Sequence, residues 1–533
     1  MKRKTAYILL IIALAAAVRV TGVRFGFPYL FHPDEPTAVR RALLMFRDGL
    51  NPGWFAMPSG YLYLLHYSYR VFYLVSSLFE SPALLPHLRP DRVPFYLIGR
   101  VWSVLAGTAT VWVVYRAGKK LYSSRAGLGA AFLMAVIPLH LIHSRYATVD
   151  VPVTFFIALS FLFSASVLSR RRLKYYLAAG AAAGLAAATK YNGLFVLFPL
   201  LAAHFLREGE EGERGRRRLI DPFLPAGLAA AGLLFFLASP YALIETRQLY
   251  MDLRAQSNYL IHSGHGPIFI ATRPGWLYNL FYVLYYAGGP VFWILAAAGF
   301  LYALRRHRRS DWLVLSFVVP YFILISIPVV KFSRFFIPLL PFLALWAGRL
   351  LEIRPGRRLP AAALKTAAVL AGLWLGFQAA AYAALLARTD VRIEAKRWLE
   401  ESLPRPARVG LIRTETGLIF LDDPPLDRDL PGLVVEQYDR LQRALDGQPH
   451  YLITTDFDYR QILRLKEKYD IIRYDKWLEF FAGERGYRKL KVFERRPRLF
   501  GIDFEGSFPP HDMIYNRPRI SVWERDDLRG AGR

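Results

Sequence analysis

Cysteine is absent from all 533 residues, which excludes disulfides and thiolate zinc sites. The compartment stays open, because an extracytoplasmic domain manages without cysteine. Acid is scarce: 41 Asp and Glu stand against 69 Lys and Arg, for a net charge of +28. A glycine-rich phosphate loop, a His-Glu-x-x-His pair and an internal repeat are also missing.

Apolar residues are in excess. They make up 54% of the chain, and the mean hydropathy is +0.24. They fall in runs of membrane-crossing length from the N-terminus to about residue 388, and the remainder is mixed and charged. The basic excess sits in short clusters between those runs: Arg170-Arg171-Arg172, Arg216-Arg217-Arg218, Arg305-Arg306 and Arg357-Arg358. Such placement is the positive-inside pattern of a polytopic membrane protein, not a nucleic-acid surface. The expectation is a mainly α membrane domain over residues 1–388 and a soluble α/β domain over 389–533.

Met1-Lys2-Arg3-Lys4 ahead of the first run reads as the inside flank of a retained first helix, not a cleaved signal, because many spans follow. Alternation then predicts about eleven crossings, near 6–22, 97–117, 126–141, 152–169, 175–189, 191–206, 222–240, 279–303, 311–330, 335–350 and 360–388. The tyrosine-rich stretch 61–79 would invert every later basic cluster if it crossed, so it is assigned to an interfacial helix. Glu208–Arg218 reads as a cytoplasmic linker. The outward segments are then 23–96, 142–151, the turn at Lys190, 241–278 and Lys331–Arg334, with the C-terminal domain on the same side. In that domain Val391–Leu403 and Arg460–Lys468 read as helices. Val409–Ile412, Tyr451–Thr455 and Ile520–Trp523 read as strands.

The outward segments hold the chemistry-bearing residues. His32-Pro33-Asp34-Glu35 places two carboxylates where the first span emerges. A desolvated carboxylate there can serve as a general base, and the same pattern fits a helix start with Pro36 in its first turn. Asp150, after His143-Ser144-Arg145, stands at the mouth of the next span and carries the same two readings. Together the acids suit a hydroxyl substrate or a divalent cation, which takes oxygen ligands. No nucleotide site is needed, and a divalent cation is the one cofactor this set would take. Lys190, Lys331 and Arg334 face outward against the charge rule; a lipid phosphate would account for them, and so would snorkelling to headgroups. His262 and His265 on the long outer loop fit substrate or metal contacts, or plain solvation, and His32, His143 and Arg145 are further candidates for contact with substrate or metal.

Acids and outward cations at one membrane face suit group transfer from a polyprenyl-phosphate donor, whose phosphate leaves as an anion. The motifs that accompany them are His32-Pro33-Asp34-Glu35, Asn51-Pro52-Gly53-Trp54-Phe55 through Pro58, Gly99-Arg100, His143-Ser144-Arg145 with Asp150, Thr189-Lys190, and Arg334 with Pro338 and Pro341. In order and sidedness this set resembles the GT-C membrane glycosyltransferases of family 39, the protein O-mannosyltransferases and aminoarabinose-type lipid-sugar transferases. It spans about residues 1–350.

The resemblance implies a polyprenyl-phosphate sugar donor and inversion at the anomeric carbon. It makes Asp34 similar to the family's catalytic acid, with Glu35 beside it. Asp150 then stands for the second-loop acid, and Lys190 and Arg334 are at positions suited to the donor phosphate. The acceptor is a lipid, glycan or protein. An inserted lumenal domain between the spans is missing, which puts a protein acceptor in doubt. The expected setting is a prokaryotic plasma membrane with the C-terminal domain outside. The alternative from another class is a flippase or transporter of lipid-linked saccharides.

Overall fold

The computed structural model of the chain describes residues 2–78, 92–207, 221–265, 268–353, 361–412, 430–466, 470–506 and 508–530. The assigned linker Glu208–Arg218 and the clusters Arg216-Arg217-Arg218 and Arg357-Arg358 lie outside the described residues.

Each of the eleven assigned spans coincides with helix. Among the described residues six helices are long and apolar enough to cross a membrane: Val93–Leu121, Asp150–Ser169, Gly275–Arg306, Arg309–Ser326, Ser333–Glu352 and Ala362–Ser402. Three shorter apolar helices, Ser124–Val136, Tyr191–Leu206 and Phe223–Ala238, accompany them. We number the first elements α1 (Lys2–Val20), α2 (Glu35–Asp48), α3 (Gly60–Ser77), α4 (Val93–Leu121), α5 (Ser124–Val136), α6 (Pro138–His143), α7 (Asp150–Ser169) and α8 (Leu173–Thr189).

α7 lies at the centre, packed on α4, α8 and the helix Leu197–Leu206. α8 meets the helix Phe223–Ala238 at backbone distance. A Cβ added at Gly180 would lie 1.8 Å from the Gly227 carbonyl oxygen, and one at Gly184 would lie 2.3 Å from that of Ala231. This is the small-x-x-x-small device that lets apolar helices touch. The assigned span 126–141 is divided: α5 stops at Val136 and α6 starts at Pro138, because proline accepts a first helical turn but not an interior one. Its short second half carries His143 to the end of the bundle. α3 is not among the six long apolar helices; it buries Tyr61, Leu62, Leu65, His66 and Tyr69 and packs on α2 and α4.

The C-terminal region holds a five-stranded sheet of β1 (Ala407–Ile412), β2 (Leu433–Tyr438), β3 (Tyr451–Thr455), β4 (Tyr487–Phe493) and β7 (Ile520–Arg525) in the order β2-β1-β3-β7-β4. β2, β1 and β3 run parallel, and β7 and β4 are antiparallel to their neighbours. The small strands β5 (Arg498–Leu499) and β6 (Ile502–Asp503) form a separate hairpin. The helix expected over Arg460–Lys468 starts earlier, at Asp456, where Thr455 and Asp458 close a capping box.

Candidate functional site

α2 begins at Glu35 with Pro36 in its first turn and Asp34 at the N-cap. The helix-start reading of this segment is therefore correct for the backbone. The two carboxylates, however, go separate ways. Asp34 makes no capping hydrogen bond; its Oδ2 lies 3.2 Å from Arg334 Nη2, and its side chain is 42% exposed. Glu35 is fully buried. Arg100 grips it through two hydrogen bonds, Nε to Oε1 at 2.7 Å and Nη2 to Oε2 at 2.8 Å, and the Ala147 amide donates to Oε1 at 2.8 Å. Arg100 also donates to the carbonyls of Val23 and Phe25. The sequence reading set Glu35 beside Asp34 at the chemistry. Its carboxylate instead ties the first outer loop to α4, because consecutive residues entering a helix point about 100° apart.

Asp34 opens onto a cavity of ≈ 550 Å³. Its lining draws on every outward segment assigned from the sequence: Asp34 and Trp54 from the first, Thr148 and Asp150 from the second, then Lys190, the stretch 253–261, and Arg334. Asp150 is the first residue of α7 and nearly buried; Lys190 donates to its Oδ1 at 2.6 Å. Lys190 can reach it because α8 ends at Thr189 and the chain turns at once into the 3-10 segment Tyr191–Val196. The Lys190 ammonium lies 5.0 Å from the Phe335 ring, and the Arg334 guanidinium lies 4.1 Å from the Phe332 ring. Two acid–cation pairs thus face one apolar-walled space. Arg334 Nη1, Thr148 Oγ1 and Asn192 Oδ1 have no hydrogen-bond partner among the described residues, so the walls keep unspent polar capacity.

A larger cleft of ≈ 800 Å³ lies between residues 20–29 and 386–400. Its Asp390 is committed to Arg392 at 2.7 Å, and neither Asp34 nor Asp150 reaches it. The smaller cavity is the better site because its acids and cations converge.

Of the candidates read from the sequence, Asp34, Asp150, Lys190 and Arg334 line this cavity. His32 sits behind Asp34. Its Nδ1 accepts from the Asp34 amide at 3.2 Å, and its ring packs on Tyr146, with centroids 4.2 Å apart. Burial, joined by nearby cationic groups, holds this imidazole well below its ordinary pKa, so it is neutral. His143 is buried next to it, ring centroids 6.1 Å apart. Arg145 donates to the backbone carbonyls of Thr21, Leu141 and Val18 and so braces α1. Lys331 turns away from the cavity to Thr272 Oγ1 at 3.0 Å and the Val329 carbonyl at 3.2 Å. His265 accepts from or donates to Tyr259 at 2.7 Å, and His262 is exposed. The two loop histidines do not line the cavity, and among the described residues no three His, Asp or Glu side chains are grouped to hold a metal ion.

Three contributors escaped the sequence reading. Asp512 accepts from the Ser333 amide and hydroxyl at 3.0 and 2.9 Å and from the Arg334 amide at 2.9 Å, fixing the turn that presents Arg334. Tyr515 packs edge-on against His32 at 5.5 Å. Asp252 accepts from the Phe55 amide at 2.6 Å and ties the Trp54 loop to the helix Thr246–Asn258. The only available signal was Pro509-Pro510-His511-Asp512, a His and an Asp preceded by two prolines.

Residues 97–242 match the family described as dolichyl-phosphate-mannose-protein mannosyltransferase. That stretch holds Arg100, Asp150 and Lys190, while Asp34 and Arg334 lie outside it. ArnT from Cupriavidus metallidurans, solved in the apo state, is similar over 99% of this chain and 99% of its own, with 15% identity and a TM-score of 0.50. The oligosaccharyltransferase of Archaeoglobus fulgidus, in a complex with Zn and sulfate, is similar over 88% of this chain and 71% of its own, with 13% identity and a TM-score of 0.50. A search of curated proteins found no match. The family match is confined to one segment of the chain, and the structural likeness shows a shared fold; both agree with the resemblance carried by the order of the motifs.

Proposed function

We propose that the chain transfers a sugar from a polyprenyl-phosphate-linked donor to an acceptor hydroxyl or amine, with Asp34 as the carboxylate that orients and deprotonates the acceptor. The observation that carries this reading is the 3.2 Å pairing of a half-exposed Asp34 with Arg334 on the wall of the 550 Å³ cavity. A cation held there stabilises the phosphate as it leaves, and the neighbouring carboxylate is free to receive a proton. In the reaction the acceptor heteroatom attacks C1 of the sugar from the face opposite the phosphate. The C1–O bond to phosphate breaks, its electrons stay on the departing polyprenyl phosphate, and the acceptor proton passes to Asp34. The configuration at C1 inverts. Arg334 and Lys190 share the phosphate charge, and Asp150 holds Lys190 in place. His32 fixes the Asp34 backbone without taking part.

The family description that matches residues 97–242 names a dolichyl-phosphate sugar, and this agrees with a lipid-phosphate donor. On this reading the cavity and the C-terminal domain lie on the extracytoplasmic face of a prokaryotic plasma membrane, in keeping with basic clusters on the opposite side of the bundle. The test is reconstitution of the full chain in vesicles loaded with lipid-linked sugar extracts, followed by mass spectrometry. A covalent glycoconjugate is the expected product. Movement of the donor lipid between leaflets with no conjugate would replace transfer by the flippase reading.

A further inference from the structure

The hairpin β5–β6 turns over two residues, Phe500 and Gly501, both with positive φ, +49° and +79°. That is the geometry of a tight type I′ turn, whose first position favours Asn, Asp or Gly. A phenylalanine there is conformationally disfavoured, and burial does not offset the cost, since Phe500 is 84% exposed. Ile502, beside it on β6, is 44% exposed.

The hairpin's position supplies the reason. β5 packs against the apolar helix Ala361–Ala387. Phe500 meets Phe377 edge-on at 6.0 Å, and Trp374 meets Phe504 at 5.1 Å. Phe377 is itself 43% exposed, on a helix surface that also exposes Val369, Leu370 and Leu373. Ten residues separate Phe377 from the helix end at Ala387, about 15 Å along its axis. Behind the hairpin, the Tyr282 hydroxyl donates to the Phe508 carbonyl at 2.8 Å, and the Tyr286 hydroxyl accepts from the Phe508 amide at 3.3 Å. These tyrosines belong to an apolar helix that also exposes Phe281 and Tyr285, an aromatic cluster of the kind found at headgroup level. The charged residues of the hairpin sit away from its tip: Arg498 and Arg496 both reach Asp503, at 3.2 and 3.4 Å.

We propose that this hairpin dips its Phe500 tip into the bilayer beside the last span, with lipid as its occupant, and anchors the C-terminal domain to the membrane surface. Asp512, which fixes Ser333 and Arg334, follows Asp503 by nine residues. The anchor therefore sets the height of the segment that completes the cavity. The inference rests on the membrane setting alone and stands or falls apart from glycosyl transfer.

The cysteine-free chain allows a clean test. A nitroxide on Phe500→Cys in the full chain, in phosphatidylcholine–phosphatidylglycerol nanodiscs, is compared with one on Glu484→Cys, an exposed position on the loop before β4. Collision with oxygen is expected to exceed collision with nickel chelate several-fold at 500 and to reverse at 484. Position 500 reading as aqueous as 484, or shielded from both reagents as in a protein contact, would overturn the proposal. If Phe500→Cys does not fold, Ile502→Cys gives the same reading from the neighbouring strand, with the same two outcomes.

Discussion

The two ends of the helical bundle are both rich in acid–base pairs, and the 550 Å³ cavity opens at one of them. At the far end Asp221 receives Arg171 at 2.7 Å, Arg207 at 3.1 Å and the Phe223 amide at 3.1 Å. Asp311 there holds Arg349, the Tyr122 hydroxyl at 3.0 Å and the Arg308 amide at 3.0 Å. Those carboxylates are saturated and closed off. About 25 Å away along α8, Asp34 and Asp150 each have, among the described residues, one cationic partner within salt-bridge distance, and both border open space. Buried charge by itself therefore marks architecture. The site is recognised by pairs left incomplete around a volume that a substrate can fill.

The comparison breaks most visibly at the closed pairs. Arg100→Met would leave Glu35 buried and unpaired, and a loss of about 3–5 kcal/mol is expected, read as poor yield and early unfolding of the detergent-purified chain. Asp311→Ala at the far end should behave alike, with transfer per folded molecule unchanged. Arg334→Met should do the reverse: transfer falls about 10²-fold while the melting curve moves little, because its partner is half exposed. Lys190→Met is expected to cost both stability and turnover, since Asp150 loses its partner in a buried place. Adding Asp150→Asn should restore the melting curve but not the rate.

The smallest effect concerns pH. Burial keeps His32 and His511 neutral, well below the ordinary histidine pKa of 6.5. Below that value the unfolded chain takes up protons that the folded chain does not, so stability should fall as pH drops through about 6.5 and stay level above it. Asp456, which burial pushes up to about 6, acts in the opposite sense between its ordinary 3.8 and 6. The clean window is therefore pH 7.5 to 6, where His511→Gln should flatten the slope of thermal unfolding.

Much of this was legible in the sequence because long apolar runs and basic clusters are dictated by the bilayer and not by remote contacts. Sidedness alone puts Asp34, Asp150, Lys190 and Arg334 on one face of the membrane domain. What stayed hidden depends on side-chain direction or on distant chain. Glu35 and Lys331 face away from the cavity for local reasons that composition does not encode. Asp512 and Tyr515 arrive from a domain with no periodic link to the spans. β2 and β4 were missed because they are the two edge strands, and Glu436, Arg488, Lys489 and Lys491 interrupt their apolar pattern.

The central claim, that two adjacent carboxylates divide into one for chemistry and one for architecture, is tested most directly by Asp34→Asn and Glu35→Gln side by side, at equal amounts of folded protein with a lipid-linked sugar donor. The account predicts that Asp34→Asn keeps its melting temperature and donor binding but loses about 10³-fold in transfer. Glu35→Gln is expected to melt earlier and retain its rate per folded molecule. Full transfer by a folded Asp34→Asn chain would contradict the account.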